Sequence, residues 1–203
     1  THFWDKVADK YSKQPVANEE VYQKKLAVTQ DYLEPHMQLL EFGCGTGSTA
    51  IVHAPHVKHI RAIDISSNMI EIARNKAQAA GIDNISFEQG TLDDLNVADE
   101  SLDMVLGLNI IHLLEDTQGS IHKVYRMLKP GGLFVSSTVC VSDSLWRLIK
   151  PVVPIVRALG FMPYLKFLSR QELEQILIKS GFALDYNWRP DKSIAVFIVA
   201  KKK

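Results

Sequence analysis

Leu39-Leu40-Glu41-Phe42-Gly43-Cys44-Gly45-Thr46-Gly47 is an apolar run that closes on an acid and then breaks into three glycines at alternate positions. The run reads as a buried strand, and the glycines as a steep turn into a helix. Three missing Cβ atoms in one short loop let the main chain turn sharply and let a ligand approach its amides. Dinucleotide-binding turns follow the related pattern GxGxxG, whose third glycine packs helix against strand. Here Ser48 occupies that position and Gly47 comes one residue early. Alone, the loop suits a cofactor, a dinucleotide among them, or no ligand at all.

The residues after it narrow the choice. His59 to Asp64 reads as a second strand that ends on an acid, 21 residues beyond Gly43. That is about the spacing at which a βαβ unit delivers a carboxylate to ribose hydroxyls. Ser66 or Ser67 then caps a helix with Met69, Ile72, Ala73, Lys76 and Ala80 on one face, and Gly81 closes it. Between loop and second strand, a short helix from about Ser48 to Ala54 is stopped by Pro55.

Upstream, residues 3 to 33 predict two helices separated by Pro15, one carrying Trp4, Val7, Ala8 and Tyr11 and the other Val21, Leu26, Val28 and Leu33. This segment either covers the mouth of a site or simply packs on the sheet. Downstream come a short strand (Ile85 to Glu88), the loop Gly90-Thr91-Leu92-Asp93-Asp94-Leu95, and an apolar strand from Leu102 to Leu108 broken only by Asp103. Such a run suits a parallel strand buried on both faces. Asn109 ends it. A helix bearing Ile121, Val124, Tyr125 and Leu128 leads through Lys129-Pro130-Gly131-Gly132 into a strand from Leu133 to Val139. Five strands alternating with helices predict a doubly wound α/β sheet.

From Ser142 to Leu168 large apolar residues crowd together with Pro151, Pro154 and Pro163, while Lys150, Arg157 and Lys166 interrupt them. No uninterrupted apolar stretch is long enough to cross a membrane. The segment reads as a broken helical lid over the carboxyl ends of the strands, with an oligomer interface or a foot on a membrane surface as the other readings. Ser169 to Glu172 is a capping box for a helix with Leu173, Ile176 and Leu177 buried. Ala183 to Trp188 and Ile194 to Ala200 are close enough to form an antiparallel hairpin, and Lys201-Lys202-Lys203 reads as a solvated tail.

Length and composition fit one α/β domain over residues 1–203, with 1–35 as a helical cover and 142–168 as a lid insertion. The 203 residues are 46% apolar, and 23 basic side chains balance 23 acidic ones. A neutral chain has no global field to draw it onto nucleic acid. Cys44 and Cys140 are too few for a disulfide framework or a thiolate zinc site, and no basic-apolar leader opens the sequence, so a cytoplasmic protein is expected. The seven histidines show no metal-ligand spacing.

Together, Leu40 to Gly47, Asp64, the Asp103 strand and Leu128-Lys129-Pro130-Gly131-Gly132 resemble the class I S-adenosylmethionine-dependent methyltransferases over roughly residues 36 to 139. Within them the chain resembles the small-molecule branch that includes the ubiquinone and menaquinone biosynthesis methyltransferases. The resemblance implies a seven-stranded, mostly parallel sheet of order 3-2-1-4-5-7-6 with strand 7 antiparallel. It also implies S-adenosylmethionine as methyl donor, with S-adenosylhomocysteine as product. Glu41, Gly43, Cys44, Gly45 and Gly47 would line the cofactor, Asp64 would hold its ribose, and Ile65 and Met69 would sandwich the adenine. Gly90, Thr91 and Leu92 would run along the adenine edge. The family usually carries an Asp where Thr91 stands, which shifts that contact to the loop backbone. Asn109 and Ile110 would lie beneath the sulfonium, and Tyr11 would close over the methionine end.

Methyl transfer needs in-line approach and a dry pocket more than a protein nucleophile. His112, three residues past Asn109, is the candidate base, or else a histidine that packs and orients its loop. The run Leu108-Asn109-Ile110-Ile111 lacks the Pro-Pro-aromatic signature of nucleic-acid amino-methyltransferases. The apolar lid favours a small, partly hydrophobic acceptor, and Trp146 and Tyr164 are its substrate candidates, able also to face a cationic amine. Two other functions stay open at this stage: an NAD-dependent oxidoreductase, and a protein that binds S-adenosylmethionine without transferring its methyl group. The sequence sets no oligomeric state.

Overall fold

Seven apolar strands pair into one sheet in the computed structural model, which describes residues 2–144, 153, 156, 162–191 and 193–203. In chain order the elements are α1 (His2–Lys13), α2 (Glu19–Gln30), β1 (Gln38–Phe42), α3 (Ser48–His53), β2 (His59–Asp64), α4 (Ser67–Ala79), β3 (Ile85–Gln89), β4 (Leu102–Leu108), α5 (Thr117–Met127), β5 (Leu128–Val139), α6 (Arg170–Lys179), β6 (Phe182–Trp188) and β7 (Ala195–Lys202). The sheet order is β3-β2-β1-β4-β5-β7-β6. The first five strands pair in parallel, and β7 runs antiparallel to both β5 and β6. The expected order and the antiparallel hairpin are both present.

Strand alternation sends successive side chains to opposite faces, and the two core layers follow from it. On one face Leu40, Val105, Phe134 and Ile198 pack with Ile121 and Val124 of α5 and with Leu173 and Leu177 of α6. On the other, Leu39, Ile60, Met104, Leu106 and Val135 pack with Ala50 of α3 and Ile70, Ala73 and Ala77 of α4. Helix α4 is therefore turned by about one residue from its expected face: Ile70 and Ala77 are buried, while Ala80 is exposed.

Three local expectations need correction. Strand β5 begins at Leu128, which pairs with Leu102, and Lys129 to Gly132 bulge out before Leu133 rejoins opposite Met104. Pro55 lies within a short 3-10 turn, Ala54–His56, that continues α3. The terminal lysines are not a solvated tail: Lys202 is buried in β7, donating to the Leu128 carbonyl at 2.7 Å and to Glu100 Oε1 at 3.3 Å, with its ammonium 4.7 Å from the Tyr125 ring centre.

The N-terminal helices dock where strands end. The Ser66 hydroxyl donates to Asp5 of α1 at 2.6 Å, and the Asn68 amide to the Asp5 carbonyl at 3.0 Å. At the other end of the chain, the Ser142 amide donates to the Leu168 carbonyl at 3.1 Å, which brings together the two ends of the expected lid segment. Most of residues 145–161, Trp146 among them, lie outside the described residues.

Candidate active site

The glycine turn is fixed by one carboxylate. Asp64, at the carboxyl end of β2, accepts the Gly45 amide on Oδ2 and the Ser66 amide on Oδ1, each at 2.9 Å. Burial raises its pKa, and the two amide bonds oppose that rise. From α4, Lys76 reaches back to Thr46 Oγ1 at 2.8 Å and to Ser48 Oγ at 3.3 Å, tying down the far side of the loop.

The three loop glycines serve different ends. All have positive φ, +67° at Gly43, +54° at Gly45 and +73° at Gly47, a region that strains any residue with a Cβ. A Cβ at Gly43 would strike Ile110 Cγ1 at 2.7 Å, and one at Gly47 would strike Ala73 Cβ and the Phe87 ring at 2.8 Å. Those two glycines admit protein neighbours. At Gly45 the nearest atom is Tyr11 Cε1, 3.9 Å away, so this is the glycine whose face is open. Tyr11 is half exposed, and its pKa is raised by burial and by the nearby Asp64 charge.

Beside the loop, Asn109 ends β4 in a left-handed conformation, φ +56°, with its amide donating to the Ser137 carbonyl at 2.7 Å. That turn swings Ile110 onto Gly43 and leads into the 3-10 turn Ile111–Leu113. His112 is buried there, and its Nδ1 has no partner among the described residues. Burial lowers its pKa to about 4, so the ring is neutral at pH 7. Its carbonyl accepts the Lys166 amide at 2.7 Å, which fastens the end of the expected lid segment to this turn. Tyr164 is half-buried two residues earlier.

Glu41 and Cys44 sit beneath the loop. Glu41 is 3% exposed, its Oε2 has no partner among the described residues, and burial with repulsion from Asp64 raises its pKa to about 8. Cys44 is buried, its amide bonded to the Ile63 carbonyl, and its thiol is pushed well above the usual range by burial. Around the expected adenine position the placement is uneven. Ile65 is 38% exposed, whereas Met69 is only 2% exposed and Leu92 lies in the core beside α5. The Gly90 amide donates to the Asp64 carbonyl at 2.9 Å.

Two side chains around the site escaped the sequence reading. Asp94 Oδ2 accepts both the Thr91 amide at 2.8 Å and the Thr91 hydroxyl at 2.7 Å, so the Thr91 amide expected to meet the adenine edge already has a partner. Lys25 of α2 reaches the end of β5 and donates to Ser137 Oγ at 2.8 Å. The Thr91 and Asp94 spacing was a readable turn signal; Lys25 gave none, because its partner lies 112 residues away. No cluster of metal-ligating side chains occurs among the described residues, and no helix there is long and apolar enough to cross a membrane. A cavity of about 290 Å³ lined by Tyr32, Met37, Gly131 and Asp185 lies at the amino ends of β1 and β5, opposite the glycine turn.

The comparisons with known proteins agree with this arrangement. The family described as "Methyltransferase domain" matches residues 33–172. An uncharacterized methyltransferase, YcgJ, of Bacillus subtilis is 33% identical over 98 residues, covering 48% of this chain and 39% of that protein. A ubiquinone biosynthesis O-methyltransferase of Rickettsia canadensis is 28% identical over 153 residues, covering 73% and 63%. The chain thus spans less than two thirds of the length of either relative. The crystal structure of a SAM-dependent methyltransferase from Thermotoga maritima superposes with a TM-score of 0.72 at 24% identity, covering 100% of this chain and 99% of that one. With the glycine turn, the strand-end acid and the antiparallel seventh strand in place, the chain belongs to the methyltransferase domain family.

Proposed function

We propose that the protein transfers a methyl group from S-adenosylmethionine to a small, partly hydrophobic molecule. The observation that carries this reading is the Asp64 carboxylate clamped on the Gly45 amide at the carboxyl ends of β1 and β2, within a methyltransferase-family sheet. When bound, S-adenosylmethionine supplies a methyl group already activated on a sulfonium. Gly45 presents an open face to that ligand, Asp64 offers a buried carboxylate to ribose hydroxyls, and Tyr11 covers the loop. Glu41, Gly43, Cys44, Gly47, Ile65, Met69, Gly90, Thr91, Leu92, Asn109 and Ile110 complete the proposed cofactor shell. Met69 and Leu92, both buried, act from beneath it.

His112, whose buried Nδ1 has no partner among the described residues and whose ring is kept neutral at pH 7 by burial, is the proposed base toward an acceptor hydroxyl or amine. Tyr164, close in sequence to the Lys166 amide that bonds the His112 carbonyl, is the described candidate for shaping the acceptor site, with 1–35 as the cover; Trp146 lies outside the described residues. Relatives named for ubiquinone biosynthesis support an aromatic, quinone-like acceptor. Two free, buried cysteines support a cytoplasmic location. Calorimetric titration with S-adenosylmethionine and NAD, followed by measurement of S-adenosylhomocysteine release across phenol, quinol and amine acceptors, tests the reading. Binding of NAD alone would sink it, and cofactor binding without release on any acceptor would leave a binding protein in its place.

A further inference from the structure

Lys25 takes no part in the chemistry described above, yet it is built into the site. Its ammonium donates to Ser137 Oγ at 2.8 Å, and Ser137 Oγ donates in turn to Asn109 Oδ1 at 3.2 Å. Ser137 is fully buried and Lys25 half-buried. Among the described residues no carboxylate lies within ion-pair distance of Lys25. Burial lowers the pKa of its ammonium. A hydroxyl partner satisfies a hydrogen bond but balances no charge. A partly desolvated cation of this kind is relieved by an incoming anion.

Its location says where that anion sits. Asn109 marks the end of β4, its neighbour Ile110 packs on Gly43, and Ser137 lies opposite Leu108 near the end of β5. Lys25 is therefore two hydrogen bonds from the turn that flanks the glycine loop. We propose that Lys25, seated on Ser137 and Asn109, forms an oxyanion-binding site at the carboxyl ends of β4 and β5 for the carboxylate or ionised hydroxyl of an organic ligand. The proposal rests on the methyltransferase reading of this site. Two molecules can supply such an oxygen there: the cofactor, through the carboxylate of its amino-acid end, and the acceptor, through an ionised hydroxyl.

Calorimetry on wild type, Lys25→Met, Lys25→Gln and Lys25→Arg separates them, with thermal melting to establish folding. The probes are S-adenosylhomocysteine, 5′-methylthioadenosine, which lacks the amino-acid carboxylate, and, on the S-adenosylhomocysteine complex, 4-nitrophenolate and its neutral analogue 4-nitroanisole. If the cofactor supplies the anion, Lys25→Met and Lys25→Gln lose about tenfold or more in affinity for S-adenosylhomocysteine and none for 5′-methylthioadenosine. If the acceptor does, S-adenosylhomocysteine binds unchanged and a wild-type preference of about tenfold for the phenolate over the anisole disappears. Lys25→Arg retains the charge and the effect in either case. Unchanged S-adenosylhomocysteine affinity together with no phenolate preference in wild type overturns the proposal, as does an equal loss for both nucleosides. Failure of wild type to bind either nucleoside removes the methyltransferase reading itself.

Discussion

The Asp64 carboxylate and the Gly45 amide, 19 residues apart in the chain, meet at 2.9 Å. The same carboxylate orders the loop through the Gly45 and Ser66 amides and is the proposed ribose ligand. Asp64→Ala strips the Gly45 and Ser66 amides of their acceptor and, on the proposed function, removes the ribose ligand as well. Affinity for S-adenosylhomocysteine should fall at least about tenfold, or roughly 1.4 kcal/mol. An unchanged dissociation constant in calorimetry would show that Asp64 is not a cofactor ligand.

Gly45 and Gly47 should respond differently to alanine. At Gly47 the added methyl strikes Ala73 and Phe87 and also suffers a φ of +73°. Urea denaturation should register a loss of about 2–4 kcal/mol. At Gly45 the space is open, so the cost is confined to backbone strain of about 1–2 kcal/mol, and the larger effect is on cofactor affinity. Equal destabilisation by the two substitutions would contradict the division of roles between them.

Glu41 gives stability a distinctive pH dependence. Its folded pKa, about 8, lies above its ordinary value of 4.5, so its contribution is fully present below pH 4.5 and is lost as pH rises through about 8. Glu41→Gln should flatten that decline and raise stability at pH 8 by on the order of 1–3 kcal/mol. Chemical denaturation of both proteins at pH 5 and pH 8 measures it, and parallel pH profiles would refute the assignment.

His112 works in the opposite direction. With a folded pKa of about 4 against an ordinary 6.5, its stabilising contribution is present above pH 6.5 and is lost as pH falls through about 4. If it is the base, His112→Ala lowers kcat by about a hundredfold or more at pH 7, and the wild-type rate holds well below pH 6.5 before it falls. Turnover unaffected by the substitution at every pH assigns the ring to packing.

Local chemistry made much of the fold legible. The second strand, His59–Asp64, falls where its apolar run and terminal acid place it, and Ser169 with Glu172 forms the expected reciprocal cap. Tertiary encounters carried no such signal. Lys25 sits in a run of polar helical residues that reads as a solvated face, and its destination on Ser137 follows from how α2 crosses the sheet. Lys202 misleads for a related reason: three consecutive lysines look like a tail, while the buried Leu128 carbonyl that receives one of them belongs to a different strand. Alternate glycines announce a turn, but which of them faces a ligand depends on Ile110, Ala73 and Phe87, all distant in sequence.

The placement of β7 between β5 and β6 also dictates an order of assembly. Among the described residues β6 bonds within the sheet only to β7, and β7 bonds in turn to β5. A nascent chain that has finished the cofactor-side strands β1 to β4 still has β5 with an open flank, and emergence of β6 cannot close it. The flank of β5 is covered only once β7 is available, so its exposed edge is a liability for association with other chains until then. Removing β7 should therefore show itself first as aggregation during synthesis, even though β7 does not pair with β1 or β2, the strands whose carboxyl ends carry the Asp64 and Gly45 clamp.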